Sequence, residues 1–108
     1  MVRLWVDDER CAPPGWEWAD SSNAAITALS PGEVEEISLD HDLGGEDTTR
    51  RVVTWMIENE VWPQRVRVHT ANPVGRSWLV GTVRRYAPDS VELIVDTHCP
   101  CGCTSISR

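Results

Sequence analysis

The tripeptide Asp40-His41-Asp42 closes an apolar run, Ile37-Ser38-Leu39, and opens onto Gly44-Gly45. Residues two apart on an extended chain point the same way, so Asp40 and Asp42 share one side and His41 takes the other. Two further runs have the same form: Val2 to Val6 leads into Asp7-Asp8-Glu9-Arg10, and Val66-Arg67-Val68 leads into His69-Thr70-Ala71-Asn72. If the three are parallel neighbours, their ends place Asp7, Asp8, Asp40, His41, Asp42, His69, Thr70 and Asn72 around one pocket. Carboxylates that close together raise one another's pKa or recruit a cation. Their hard oxygen donors favour Mg²⁺ or Mn²⁺, with Asp7, Asp8 and Asp40 as the metal ligands. Two histidines at adjacent strand ends suit paired acid and base work on a phosphodiester, one activating water and the other protonating the departing oxygen. Each histidine has alternatives, as a metal ligand or as a cap on its own strand. Asp42 either joins them as a catalytic group, fixing an imidazole or a metal-bound water, or caps the turn. Arg10 is placed for a bidentate phosphate contact or for an ion pair with Asp7, Asp8 or Glu9. Thr70 and Asn72 offer neutral hydrogen bonds to the same phosphate, and the turn 72–75 offers free N–H groups.

The elements that must carry these groups follow from pattern and punctuation. Cys11-Ala12-Pro13-Pro14-Gly15 excludes a helix after the first strand, because consecutive prolines remove donors and restrict the residue before them. Gly15 to Ala19 alternates as a short strand suited to a sheet edge. Asp20 or Ser21 caps a helix over Ser22 to Leu29, and Pro31-Gly32 ends it. The central strand follows, then a turn in which Glu46, Asp47 and Thr48 are available as caps. Val52, Val53, Met56 and Ile57 define a helix over Arg50 to Glu60. Arg65 to His69 is the next strand, Gly75 to Tyr86 a third helix, and Val91 to Val95 a last strand. This order predicts an α/β fold, a three-layer sandwich of about five mostly parallel strands with helices on both sides and fewer helices than usual.

At 108 residues, the chain has room for one core. The expected division is a domain over 1–96 and a Cys-rich tail over 97–108. Net charge is −7, and all ten basic residues are arginine. That balance argues against a duplex nucleic acid partner, since affinity for the phosphate backbone depends on Lys and Arg. The absence of lysine removes Schiff-base chemistry and leaves arginine as the permanent cation. With no apolar run of membrane-spanning length and no leader segment before the first strand, the expected location is cytoplasmic, away from membranes. Cys11 reads as a buried or loop thiol. His98, Cys99, Cys101 and Cys103 resemble half of a zinc knuckle, but four ligands within six residues bend poorly around one tetrahedral ion. Trp55, Trp62 and Trp78 read as packing residues. Trp16 and Trp18, on an edge strand, read as a candidate partner surface.

The layout resembles the flavodoxin-like receiver domain of response regulators. In that likeness Val6-Asp7-Asp8 is similar to the acidic pair that holds Mg²⁺, Asp40 falls where receivers carry the phosphoacceptor, and Val68-His69-Thr70-Ala71 resembles the strand-four Thr-Ala step. Asp96 falls where receivers have a lysine, which speaks against a conventional phospho-switch. Val-Asp-Asp-Glu-Arg, Leu-Asp-His-Asp-Leu-Gly and Val-His-Thr-Ala-Asn-Pro-Val-Gly together resemble a divergent branch more closely: the cyclic-phosphate processing receiver-like domains of bacteria and their phages. That resemblance covers about residues 1 to 86. It implies a metal-assisted phosphoesterase acting on or binding a small phosphorylated ligand, a cyclic phosphate in a nucleotide or an RNA end. The alternative expectation is a catalytically inactive receiver-derived module that modulates a host or partner protein.

Overall fold

The computed structural model describes residues 2–95. Asp96 and the tail residues His98, Cys99, Cys101 and Cys103, with the zinc reading attached to them, lie outside the described residues. Five strands, β1 (Val2–Val6), β2 (Glu17–Ala19), β3 (Val34–Leu39), β4 (Arg65–Val68) and β5 (Glu92–Val95), form one sheet in the order β2-β1-β3-β4-β5. Every pairing is parallel, and β2 lies at an edge, as its short alternating sequence predicts. Three helices complete the fold: α1 (Ser22–Leu29), α2 (Arg50–Asn59) and α3 (Pro73–Tyr86).

All three helices contribute to a single core. Leu4 and Val6 of β1, Ile37 and Leu39 of β3, and Val66 and Val68 of β4 pack with Ala25 and Leu29 of α1, Val52, Val53 and Met56 of α2, and Leu79 and Val83 of α3. The topology explains why. Each crossover, β2-α1-β3, β3-α2-β4 and β4-α3-β5, advances the same way across the sheet, so right-handed connections place all three helices on one face. The expectation of helices on both sides is therefore met on one face among the described residues. The intervening strand residues Arg3, Trp5, Glu36, Ser38, Arg65 and Arg67 belong to the other face. There, Arg3, Glu36, Arg65 and Glu92 stand in register across four strands. The buried Glu36 carboxylate accepts from Arg67 and pairs with Arg65 at 3.4 Å and Arg3 at 3.8 Å.

Local chemistry sets the helix ends. Ser21 is the N-cap of α1, its hydroxyl accepting from the Ala24 N–H at 3.1 Å. Asp47, one of three residues available to cap α2, instead accepts from the Ser22 N–H at 2.8 Å and the Ser22 hydroxyl at 2.6 Å, tying the β3–α2 loop to the start of α1. Asn72 caps α3, its side-chain oxygen accepting from the N–H groups of Val74 and Gly75 at 3.1 Å each, and Pro73 occupies the first helical position, where no donor is needed. Trp55, Trp62 and Trp78 are half-buried against the core, as expected. Cys11, expected as a thiol, is disulfide-bonded. No helix among the described residues is long and apolar enough to cross a membrane.

Candidate functional site

The carboxyl ends of β1, β3 and β4 converge on an open cavity of about 410 Å³, lined by Asp8, Glu9, Arg10, Asp40, Asp42, Gly44, Gly45, Thr70, Ala71 and Asn72. A crevice beyond the strand ends is where an open parallel sheet binds ligands, because the loops diverge there and leave space between them. Gly44 lets the β3–α2 loop close over the acidic pair. Its φ of +88° is strained for any side chain, and a Cβ built there would lie 3.2 Å from the Asp8 carboxylate.

Asp7, Asp8 and Asp40 form the centre, each offering an oxygen within 4.8 Å of the other two. They differ in environment. Asp7 is fully buried and accepts from the N–H groups of Glu9 at 2.8 Å and Arg10 at 3.0 Å, while His69 Nε2 lies 3.0 Å from its second oxygen. Burial pushes the Asp7 carboxyl up, but the His69 and backbone hydrogen bonds together hold it below the usual range. Asp40 goes the other way. Burial and the neighbouring Asp7 charge raise it, against the opposing hydrogen bonds from Thr70 and the His41 N–H. Asp8 is raised as well, by burial and then by the charges of Glu9, Asp7 and Asp40. Two carboxyls forced up beside a third that stays ionised are a donor set that a divalent cation would relieve.

Asp42 lines the cavity opposite this group and is well exposed. The Asn72 side-chain N–H donates to it at 3.1 Å, and His41 Nδ1 lies 3.0 Å from its other oxygen. The Asn72 bond, then the His41 bond and the charge of Arg50, hold its carboxyl below the ordinary value. Strand alternation thus operates as expected at this end of β3: Asp40 and Asp42 face the cavity, and His41 turns away from it.

Neither imidazole lines the cavity. His41 is buried against α3, so close that a Cβ on Gly75 would come within 2.3 Å of its ring, and its Nε2 accepts from the Arg50 Nε–H at 2.9 Å. That bond assigns the ring proton to Nδ1, which donates to Asp42. His69 sits beneath Asp7, its Nδ1 2.7 Å from the Ser38 hydroxyl and its ring stacked on Trp5 with centroids 4.0 Å apart. Both ring nitrogens of both histidines are engaged by protein groups. The acid and base roles expected of them lack a ring nitrogen facing the cavity.

Arg10 does reach the cavity, but one of its amino groups donates to the His69 carbonyl at 3.0 Å. Its Nε–H is buried without a partner among the described residues. Thr70 accepts from the Asn72 N–H at 3.1 Å, so these two neutral residues brace the β4–α3 turn. Sequence reasoning missed Arg50, Ser38 and Trp5. The signal for Ser38 was present as a lone hydroxyl inside an apolar strand. Arg50 carried none, because its role depends on where α2 begins relative to His41.

A family model described as the cyclic-phosphate processing receiver domain matches residues 2–85. Among solved structures, the response regulator domain of Thermotoga maritima CheB superposes with a TM-score of 0.51 at 14% identity, covering 91% of this chain and 80% of that one. At that identity the likeness speaks to the fold. No curated protein sequence matches.

Proposed function

This chain belongs to the cyclic-phosphate processing receiver domain family, and from that premise we propose that it binds a cyclic phosphate, in a nucleotide or an RNA end, together with Mg²⁺ or Mn²⁺, and opens the ring by hydrolysis. The observation that carries this reading is the set of three carboxylates, Asp7, Asp8 and Asp40, meeting within 4.8 Å, with Asp8 and Asp40 lining a cavity that also holds Arg10. The donor set fits a hard divalent cation: all oxygen, two carboxyls held above their ordinary range, and no lysine in the chain to neutralise them. Asp7, Asp8 and Asp40 would hold the ion. When bound, it supplies Lewis-acid polarisation of the phosphoryl oxygens.

The chain's own groups divide the remaining work. Arg10 and Asn72, which line the cavity, orient the phosphate. Asp42, ionised and facing the cavity, takes the proton of the attacking water as its oxygen bonds to phosphorus, and the ring P–O bond breaks with the proton passing to the departing oxygen. His41 and His69 act here as positioning residues. His69 fixes the orientation of Asp7, as an outer partner fixes a metal-ligating carboxylate, and His41 does the same for Asp42.

The test is a screen of 2′,3′- and 3′,5′-cyclic nucleotides and cyclic dinucleotides with Mg²⁺ or Mn²⁺, using wild type beside Asp42→Asn and Asp40→Asn. Ring opening by wild type is expected, with Asp42→Asn slowed about 10²–10⁴-fold, the usual worth of a positioned base. Absence of both turnover and calorimetric binding would overturn the proposal. A second reading is favoured by the inward-turned histidines: a receiver-derived module that binds the same ligand, or a partner protein, without catalysis. Ligand binding by wild type without product formation would select it.

A further inference from the structure

Among the described residues, no aromatic side chain lines the cavity. Its walls are carboxylates, an arginine, neutral hydrogen-bonding groups and small residues, which suit a phosphate and a cation but offer a nucleobase no flat apolar surface. Such a surface lies at the edge of the sheet. Trp18 is on β2, in register with Trp5 of β1, and its indole N–H donates to the Asp7 carbonyl at 2.6 Å. This short bond holds the ring one residue from Asp8. Trp18 nevertheless stays 53% exposed, and among the described residues β2 has β1 as its single strand neighbour.

The other tryptophans are occupied. Trp5 is buried under His69, Trp16 packs edge-on against Trp5 at 6.0 Å between centroids with Arg3 over its ring, and Trp55, Trp62 and Trp78 pack against the core. Among the described residues, Trp18 is thus the aromatic ring that is both anchored to the Asp7 backbone and open to solvent. A stacking contact also suits a chain of net charge −7, because it needs no cation on the protein.

Resting on the phosphate-site reading above, we propose that Trp18 is the nucleobase platform of this site: the base of a nucleoside cyclic phosphate stacks on its indole while the phosphate lies at Asp8, Asp40 and Arg10. The ligand class is a nucleotide or a nucleotide-terminated strand rather than a base-free cyclic phosphate. Its purine or pyrimidine identity is read weakly, since every base presents a π face.

The experiment compares, by calorimetry with Mg²⁺, adenosine 2′,3′-cyclic phosphorothioate and glycerol 1,2-cyclic phosphorothioate, the sulfur slowing turnover, on wild type, Trp18→Ala and Trp18→Phe. Wild type should prefer the adenosine ligand. Trp18→Ala should weaken that ligand about 5- to 150-fold, the range of one base–aromatic stack, and leave the glycerol ligand unchanged. Trp18→Phe also loses the indole N–H but keeps a ring, so it should retain most of the preference. A trinucleotide with a 2′,3′-cyclic phosphorothioate end distinguishes the source: tighter binding than adenosine points to a strand end, equal binding to a free nucleotide. Trp18 is refuted if wild type binds both small ligands alike, if Trp18→Ala leaves the preference intact, or if it weakens both ligands equally, which would reduce the indole to a pin for Asp7. If wild type binds neither, the phosphate-site reading itself fails and takes this proposal with it.

Discussion

Replacing Gly75 by alanine tests the placement of His41 more sharply than replacing the histidine. Gly75 is the third residue of α3, and a Cβ there would stand 2.3 Å from Cγ, 2.6 Å from Cδ2 and 2.7 Å from Cβ of His41. Ordinary contact begins near 3.4 Å, so ring and helix would have to separate by about an ångström. The ring has little freedom to yield, because Asp42 holds one nitrogen and Arg50 the other. Overpacking a tight contact costs about 1–3 kcal/mol, and each hydrogen bond lost at His41 adds about 0.5–1.5 kcal/mol. Against this stands a helix-propensity gain of about 0.8–1 kcal/mol for alanine over glycine. The net expectation is a loss of about 1–3 kcal/mol. Gly81 provides the control in the same helix, where an added Cβ meets nothing within 4 Å. Gly81→Ala should keep the propensity gain and stabilise by about 0.5–1 kcal/mol. At about 4–8 °C per kcal/mol for a domain near this size, the two Tm values should differ by at least ~6 °C, in opposite directions from wild type. Urea titration provides the free energies, and adding His41→Ala to Gly75→Ala should restore part of the loss as a coupling energy. Two alanine variants that shift stability in the same direction by similar amounts would refute the reasoning.

Glu36→Ala removes the carboxylate on which Arg3, Arg65 and Arg67 converge. Breaking a buried pair costs about 3–5 kcal/mol, but these arginines are partly solvated, so a loss of about 1–3 kcal/mol by urea unfolding is expected, and one under about 0.5 kcal/mol would contradict the geometry. Asp40→Asn should stabilise the cation-free protein at pH 7. The folded carboxyl is raised by burial and Asp7, so its ionisation costs stability above that raised pKa and nothing below the unfolded value. The gain should therefore shrink as pH falls through the carboxyl range, and a gain constant from pH 7 to pH 3 would contradict the assignment. Added Mg²⁺ should raise the Tm of wild type, by about 2.7 kcal/mol of stability at a hundred times its Kd. Asp8→Asn and Asp40→Asn should abolish that rise while the exposed control Glu58→Gln keeps it, and an equal rise in all four proteins would refute a site at the carboxylates.

The local alternation of the strands was legible in the sequence. In β1, β3 and β4 the apolar residues Leu4, Val6, Ile37, Leu39, Val66 and Val68 alternate with Arg3, Trp5, Glu36, Ser38, Arg65 and Arg67. That period marks a sheet apolar on one face, and the core confirms it. The elements, the parallel sheet, the convergence of Asp8, Asp40, Asp42, Thr70 and Asn72, and the outward pair Asp40 and Asp42 all follow from strand period and the placement of polar residues at strand ends. The histidines show where such reasoning stops. Their position at strand ends is a matter of sequence, but the partners of each ring nitrogen are set by elements distant along the chain: Arg50 and Gly75 for His41, Asp7, Ser38 and Trp5 for His69. A one-dimensional pattern constrains the direction of a side chain from its own backbone. Which groups enclose it depends on how three crossovers pack, and only the tertiary structure placed both imidazoles in the interior, one bonded to Asp42 at the cavity and the other to the buried Asp7.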